Sequence, residues 1–309
     1  MSTMAIPQPV QAKPGAAPKR QHHSDLRPAL LFILPASIGF GVFYLYPAVR
    51  GIWYSFTDYA LAGSPNWIGL ANYQQMFADK QFWNALLVTL EYVVVNITTQ
   101  TIVALFLAVL LQRVTTNVVI RGVLLLPYLI ANVVVAIVWF WMCNQLIGII
   151  NIGLEALGFT AQPFFGSTQL SIVTIALVNT WRHMGYTALL IFAGLQMIPR
   201  ELYESGAIDG AGEGKSFFHI TLPLLRPVLA LVLVITVVGS FQIFDTVAVT
   251  TRGGPVNATR VIYYYIYENA FQRSHFGYAS AMTVALFIIL AAVAYLQLRM
   301  MRADQTDLD

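Results

Sequence analysis

Charge is what this sequence has least of. Only 10% of its 309 residues are Asp, Glu, Lys or Arg, and 58% are hydrophobic. A soluble domain carries about a quarter charged residues, so this composition is that of an integral membrane protein. The net charge of +3 is too small to argue for nucleic acid, and no basic, aromatic-interleaved surface accompanies it. Cysteine is nearly absent as well. A lone Cys143 excludes an internal disulfide and a CxxC redox or zinc site, and it reads as a small apolar packing residue. Catalytic signatures are missing. There is no GxSxG and no HExxH, the five His are scattered, and Asp245 has no second carboxylate with which to hydrolyse a bond inside a membrane. The short alternating segments of a membrane β-barrel are missing too.

What the chain has instead is six long apolar runs, at 29–53, 85–112, 122–143, 169–196, 228–250 and 278–298. Each is long enough to cross a bilayer as a helix, which takes roughly 20 residues, and helices satisfy their own backbone where lipid cannot. The expected fold is therefore all-α, with six transmembrane helices. Residues 1–28, rich in Pro, Ala, Gln and Lys, read as a disordered tail in which His22 and His23 are a solvated pair. The run from Ala29 past Val49 exceeds the roughly 7–15 residues of a signal peptide's apolar core, so it reads as an uncleaved span. Lys and Arg divide eleven to five: Lys13, Lys19, Arg20, Arg27, Arg113, Arg121, Arg200, Lys215, Arg226, Arg299 and Arg302 against Arg50, Lys80, Arg252, Arg260 and Arg273. That bias puts both termini and the 197–227 segment in the cytoplasm. The loops near 59–84, 144–168 and 251–277 then lie outside. Their aromatics, among them Trp67, Trp83 and Tyr263, suit an interfacial belt or a docking surface.

One polar stretch, Pro199 to Pro227, interrupts the apolar pattern. Pro199 suits a first helical turn, and Glu201 and Glu204 suit the positive end of the helix dipole. Gly210 and Gly212 break that helix, and a second run, Ser216 to Ile220, continues until Pro223 stops it. Helix, glycine hinge, short helix and proline fit a partner's groove. Within it, Asp209 to Ser216 reads DGAGEGKS and ends like a phosphate-cradling loop. Asp209 stands where that motif needs Gly, and no strand precedes it, so nucleotide binding is not expected here.

The same stretch resembles the EAA loop of permease subunits of binding-protein-dependent ABC importers. Glu204, Ser205 and Gly206 stand for E-A-A, followed at the family spacings by Gly210, Ile220, Leu222 and Pro223. Ser205 and Gly206 replace two alanines with other small residues. GLQMIPRELYESGAIDGA, the RGGP at Arg252 to Pro255 and the IGLANY at Ile68 to Tyr73 look like the carbohydrate branch, and the similarity covers residues 30 to 298. The resemblance implies a six-helix type I permease at 29–298, with a cytoplasmic tail at 299–309. It implies that Glu204, its small neighbours Ser205 and Gly206, and Asp209 sit in a cleft of a cytoplasmic ATPase. Gly210 would permit the turn, and Ile220, Leu222 and Pro223 would hold the loop to the membrane domain. It further implies a second similar permease, two ATP-binding subunits that carry ATP and Mg, and an extracytoplasmic solute-binding protein. This chain would bind no cofactor, metal or nucleic acid itself, and would lie in a bacterial cell membrane.

Polar residues inside the spans are the second signal. Asn179, Arg182, His183 and Tyr186 fall at i, i+3, i+4 and i+7, on one helical face. An Arg at mid-membrane costs at least about 2.5–3.5 kcal/mol, so that face lines a cavity, pairs Arg182 with Asp245, or lets Arg182 snorkel. Thr236, Gly239 and Ser240 share a second face. By similarity to the maltose-type permease, Asn179, His183, Tyr186, Thr236, Gly239 and Ser240 align with its sugar-contacting helices. The alternative is helix–helix adhesion by Asn179 and Ser240. Asn96 and Asn257 each head a glycosylation-like tripeptide and read as chance matches. Two rival functions remain: an ion-coupled secondary transporter, which needs paired repeats and interrupted helices, and a scaffold or channel subunit that carries no substrate.

Overall fold

The computed structural model describes residues 26–60, 63–114 and 117–302, and contains no strand among them. Lys13, Lys19, Arg20, His22 and His23 lie outside the described residues, as does 303–309. The chain divides into two compact units, 1–50 and 51–309. From the first, α1 (Leu26–Phe40) runs through a π-helical turn at Gly41–Leu45 into α2 (Tyr46–Tyr54), whose last residues, from Gly51 on, belong to the second.

In the second unit, α3 (Ala71–Ala78) precedes the 35-residue α4 (Lys80–Val114). Asn72 shows why the IGLANY segment has its form. Its buried amide donates to the carbonyls of Ser55 at 2.9 Å and Thr57 at 2.8 Å, tying α3 to the chain that leaves α2. Next come α5 (Val118–Leu129) and α6 (Asn132–Met142), then α7 (Ile149–Ala156) and the 25-residue α8 (Ser171–Leu195). The polar loop holds α9 (Arg200–Ile208), α10 (Glu213–Ser216) and α11 (Leu222–Leu224). The chain closes with α12 (Arg226–Phe241), α13 (Asp245–Val249), α14 (Ile262–Tyr267) and α15 (Phe276–Arg302).

Among the described residues four helical stretches are long and apolar enough to cross a membrane: Leu31–Tyr54, Lys80–Arg113, Arg226–Val249 and Phe276–Arg299. The third expected span is not one helix. α5 and α6 meet at 89°. Pro127 lies in the last turn of α5, and a proline both removes an amide donor and crowds the preceding turn. α8 is long enough to span at 1.5 Å per residue, but its NTWRHMGY segment dilutes its apolarity.

Two apolar cores form in the second unit. One joins Phe82, Val88 and Tyr92 of α4 to Ile172 and Ile175 of α8, Phe241 of α12 and Tyr278 and Met282 of α15. The other joins Ala104, Ala108 and Leu111 to Ala188, Ile191 and Leu195 and to Val232. Along each of α4, α8 and α12 a polar step separates the two: Asn96 and Gln100, Asn179 to Thr187, and Thr236 with Ser240. Small residues allow this approach. A side chain on Gly185 would collide with the Leu124 carbonyl, so α5 and α8 touch through backbone.

Candidate functional site

The polar step encloses a cavity of about 280 Å³. Asn179, Arg182, His183, Tyr186, Thr236, Gly239 and Ser240 all line it, so both helical faces read from the sequence turn toward one space. Tyr128 and Asn132, from the two sides of the α5–α6 break, line it as well. Sequence reasoning passed them over because the 122–143 run was treated as uniformly apolar. Tyr128 stacks on Tyr186 with ring centroids 4.6 Å apart and planes inclined 11°, giving the cavity an aromatic wall.

Arg182 does not pair with Asp245. Its Nε and Nη2 donate to the carbonyl of Ile130, at 3.3 and 3.2 Å, and Nη2 also donates to the carbonyl of Tyr128 at 3.2 Å. A helix that stops inside a bundle leaves its last carbonyls without amide donors, and its negative dipole end attracts a cation. Arg182 meets both needs where α5 stops. Its Nη1 lies 3.0 Å from Nε2 of His183, whose Nδ1 lies 3.0 Å from the carbonyl of Asn179. A carbonyl only accepts and a guanidinium only donates. Nδ1 therefore carries the ring's proton and Nε2 accepts. Asp245 instead takes a bond from Asn132, Nδ2 to Oδ2, at 3.0 Å.

Asn96 is the hub of the wall. It is 1% exposed. Its Nδ2 donates to Ser240 Oγ at 2.9 Å and Gln100 Oε1 at 3.2 Å, and its Oδ1 accepts from Asn179 Nδ2 at 3.2 Å. Gln100 passes the network on to Thr187 Oγ1 at 2.8 Å. One side chain thus ties α4 to α8 and α12. The N-x-T reading of Asn96 hid this role, because a lone amide in an apolar run shows no partner in sequence.

The polar loop is ordered by its glycines. α9 ends in a Schellman turn. The amide of Ala211 bonds the Gly206 carbonyl at 2.8 Å and the amide of Gly210 bonds the Ala207 carbonyl at 3.1 Å, with Gly210 at φ +75. Pro199 stands at the N-cap position, one residue before the first turn where the sequence suggested it, and its side chain makes no capping bond. Pro223 does not stop the second run. A π-helical turn at Phe217–Thr221 leads directly into α11, and the helical backbone runs on past Pro223 to Leu224. Ile220 lies under α9, with Cδ1 3.0 Å from where a side chain on Gly206 would begin. Tyr203 and Thr221 join their hydroxyls at 3.0 Å, and Arg113 at the end of α4 pairs with Glu213 at 2.7 Å. Glu204, Ser205 and Asp209 are exposed, and Leu222 is half-buried. Beside them Ile208 is 87% and Phe218 64% exposed, an apolar surface on an otherwise polar loop.

At the other end of α4, Asp79 Oδ2 accepts the hydroxyls of Tyr265 at 2.6 Å and Tyr278 at 2.7 Å. Partial burial pushes the Asp79 carboxyl up. The two tyrosines and the amides of Gln81 and Phe82 outweigh that and hold it below the ordinary carboxylate value. Among the described residues no cluster of His, Cys, Asp and Glu could hold a metal ion.

Residues 100–303 match the family described as binding-protein-dependent transport system inner membrane component. The chain is 33% identical over 277 residues to the sulfoquinovosyl glycerol transport system permease protein SmoG of Agrobacterium fabrum, covering 89% of this chain and 90% of that one. It is 31% identical over 278 residues to the trehalose/maltose transport system permease protein MalF of Thermococcus litoralis, covering 89% and 94%. The fold is that of a chain from a bacterial ABC transporter involved in the import of the acidic polysaccharide alginate, with a TM-score of 0.81, 23% identity, and coverage of 92% of this chain and 98% of that one.

Proposed function

The chain belongs to the family of binding-protein-dependent transport system inner membrane components, and from that membership we propose that it is the six-span translocation subunit of an ATP-driven sugar importer in a bacterial cell membrane. Both termini and the 197–227 loop face the cytoplasm, which the division of Lys and Arg supports. A second, similar permease stands beside it. Two ATP-binding subunits below carry ATP and Mg, so this chain needs no cofactor. An extracytoplasmic solute-binding protein delivers the sugar. The names of two relatives, one for a sulfoquinovosyl glycerol system and one for a trehalose/maltose system, support a carbohydrate.

The observation that carries this reading is the exposed, internally braced loop. Its Gly210 turn, its Ile220 prop and its Arg113–Glu213 pair make it a rigid knob, and Glu204 and Ile208 stand out from it. A rigid knob transmits displacement, where a floppy one would absorb it. Closure of the ATPases on ATP draws the Glu204 helix inward. The spans then open the cavity outward, and the sugar enters from the binding protein. Asn179, Arg182, His183, Tyr186, Thr236, Gly239 and Ser240 form its path, with Arg182 contributing by holding the α5 end in place. Ion-coupled transport would leave the loop without a purpose. Purification of the intact membrane complex tests the reading. An ATPase that remains bound and hydrolyses ATP faster when sugar-loaded binding protein is added is the expected result, whereas ion-gradient-driven uptake by this chain alone would overturn it.

A further inference from the structure

The cavity contains an arginine and a histidine, and residue types alone suggest a site for an anion. The hydrogen bonds say otherwise. Arg182 is the one lysine or arginine in the lining, and its Nε, Nη1 and Nη2 each make a bond within the protein, to Ile130, Tyr128 and His183. His183 spends Nδ1 on the Asn179 carbonyl and Nε2 on Arg182. Asn179 gives one amide hydrogen to Asn96, and Ser240 gives its hydroxyl hydrogen to the Thr236 carbonyl at 2.7 Å. Asn132 gives its amide to Asp245 Oδ2.

What these groups leave for a ligand includes unengaged oxygens beside uncharged donors. Asn179 Oδ1 and Asp245 Oδ1 have no partner among the described residues, and Ser240 Oγ retains a lone pair. All are acceptors. Tyr186 and Gln242 line the same cavity and can donate, but neither carries charge. We propose that the cavity admits neutral, hydroxyl-rich sugars and discriminates against anionic ones, with Asp245, a carboxylate that Arg182 does not pair, the residue that sets this preference. The inference rests on the importer reading above. A sugar hydroxyl donates readily to a carboxylate or amide oxygen. A phosphate, sulfonate or uronate presents only acceptors there and meets the Asp245 charge at low dielectric, where repulsion is strong.

The test uses cells that lack other carbohydrate importers and produce the complete importer with its own partners. Radiolabelled maltose and trehalose are the neutral probes, and glycerol 3-phosphate and a glucuronate-bearing disaccharide the anionic ones. The native importer is expected to take up the neutral probes at least tenfold faster. Asp245→Asn, nearly isosteric, is expected to narrow that ratio at least threefold, and Asp245→Ser provides an independent variant. The ratio is the readout because lost folding lowers both classes together, and because the unchanged binding protein contributes equally to native and variant. Preference for an anionic probe, or a ratio unmoved in both variants, would overturn the proposal. Entry of no sugar, with no ATPase in the purified complex, would overturn the importer reading itself.

Discussion

Arg182 closes the broken end of α5 by donating twice to the carbonyl of Ile130, at 3.2 and 3.3 Å. The charge that looked most like a ligand contact is thus spent on the bundle's own backbone. Membranes forbid unsatisfied carbonyls, so an interrupted helix needs such a donor.

Replacing Arg182 by Gln leaves the carbonyls of Tyr128 and Ile130 short of donors. Each such loss costs about 1–3 kcal/mol. Arg182→Gln is expected to lower the melting temperature of the purified protein sharply. Arg182→Lys, with a point charge in place of a planar fork, should fall between the two. A native melting curve for Arg182→Gln would show that the cap is dispensable.

Gly210 sits at φ +75 in the turn that ends α9. A side chain there strains the turn by about 1–2 kcal/mol and adds bulk, and with Asp also charge, to the surface proposed to meet the ATPase. Gly210→Asp is expected to reach the membrane in normal amount and to abolish uptake. Immunoblotting and sugar uptake check this, and full uptake would speak against the loop's role.

Gly206 stands where related loops are described by alanine. Its added methyl would lie 3.0 Å from Ile220 Cδ1, the free end of a side chain that can yield a few tenths of an ångström. Alanine is favoured over glycine in a helix by about 1 kcal/mol. Gly206→Ala should therefore slow hydrogen exchange across Arg200–Ile208 without loss of uptake. Faster exchange would mean that Ile220 cannot move.

Asp79 provides a pH test. Its carboxyl is held below the ordinary value, so its stabilising bonds to Tyr265 and Tyr278 are complete above the unfolded-state pKa of about 3.9 and fade as pH falls through the lower folded value. Stability should be flat in this respect from pH 5 to 8. Asp79→Asn should cost about 2 kcal/mol in that range, and the gap to the native protein should narrow below about pH 4. A gap that does not change with pH, measured by thermal melts, would contradict the assignment.

Much of this was legible in sequence. Length and apolarity marked the spans that contain 85–112 and 278–298. The i, i+3, i+4, i+7 spacing placed Asn179, Arg182, His183 and Tyr186 on one face, and Gly210 announced a turn. What stayed hidden depends on tertiary partners. Hydropathy sums over a run, so the break at Ile130 and Ala131 vanished inside it, although Pro127 was its local sign. Asn96 and Asn132 are single amides in greasy surroundings, and only the packing of α4 and α5–α6 against α8, α12 and α13 reveals what each one holds. Pro223 misled because the same residue ends one helix or opens another, and the choice is made by the chain on its far side.

The 197–227 loop is proposed as the seat of a cytoplasmic ATPase. The direct measurement is cross-linking from Glu204→Cys in a Cys143→Ser background, where the buried native thiol is gone and the introduced one is exposed. In membranes from cells producing the complete importer, one adduct with the ATP-binding subunit is expected, its yield changing when ATP is added. Labelling of that cysteine by an impermeant reagent applied from outside the cell, or undiminished uptake by a complex in which no ATPase can be captured, would contradict it.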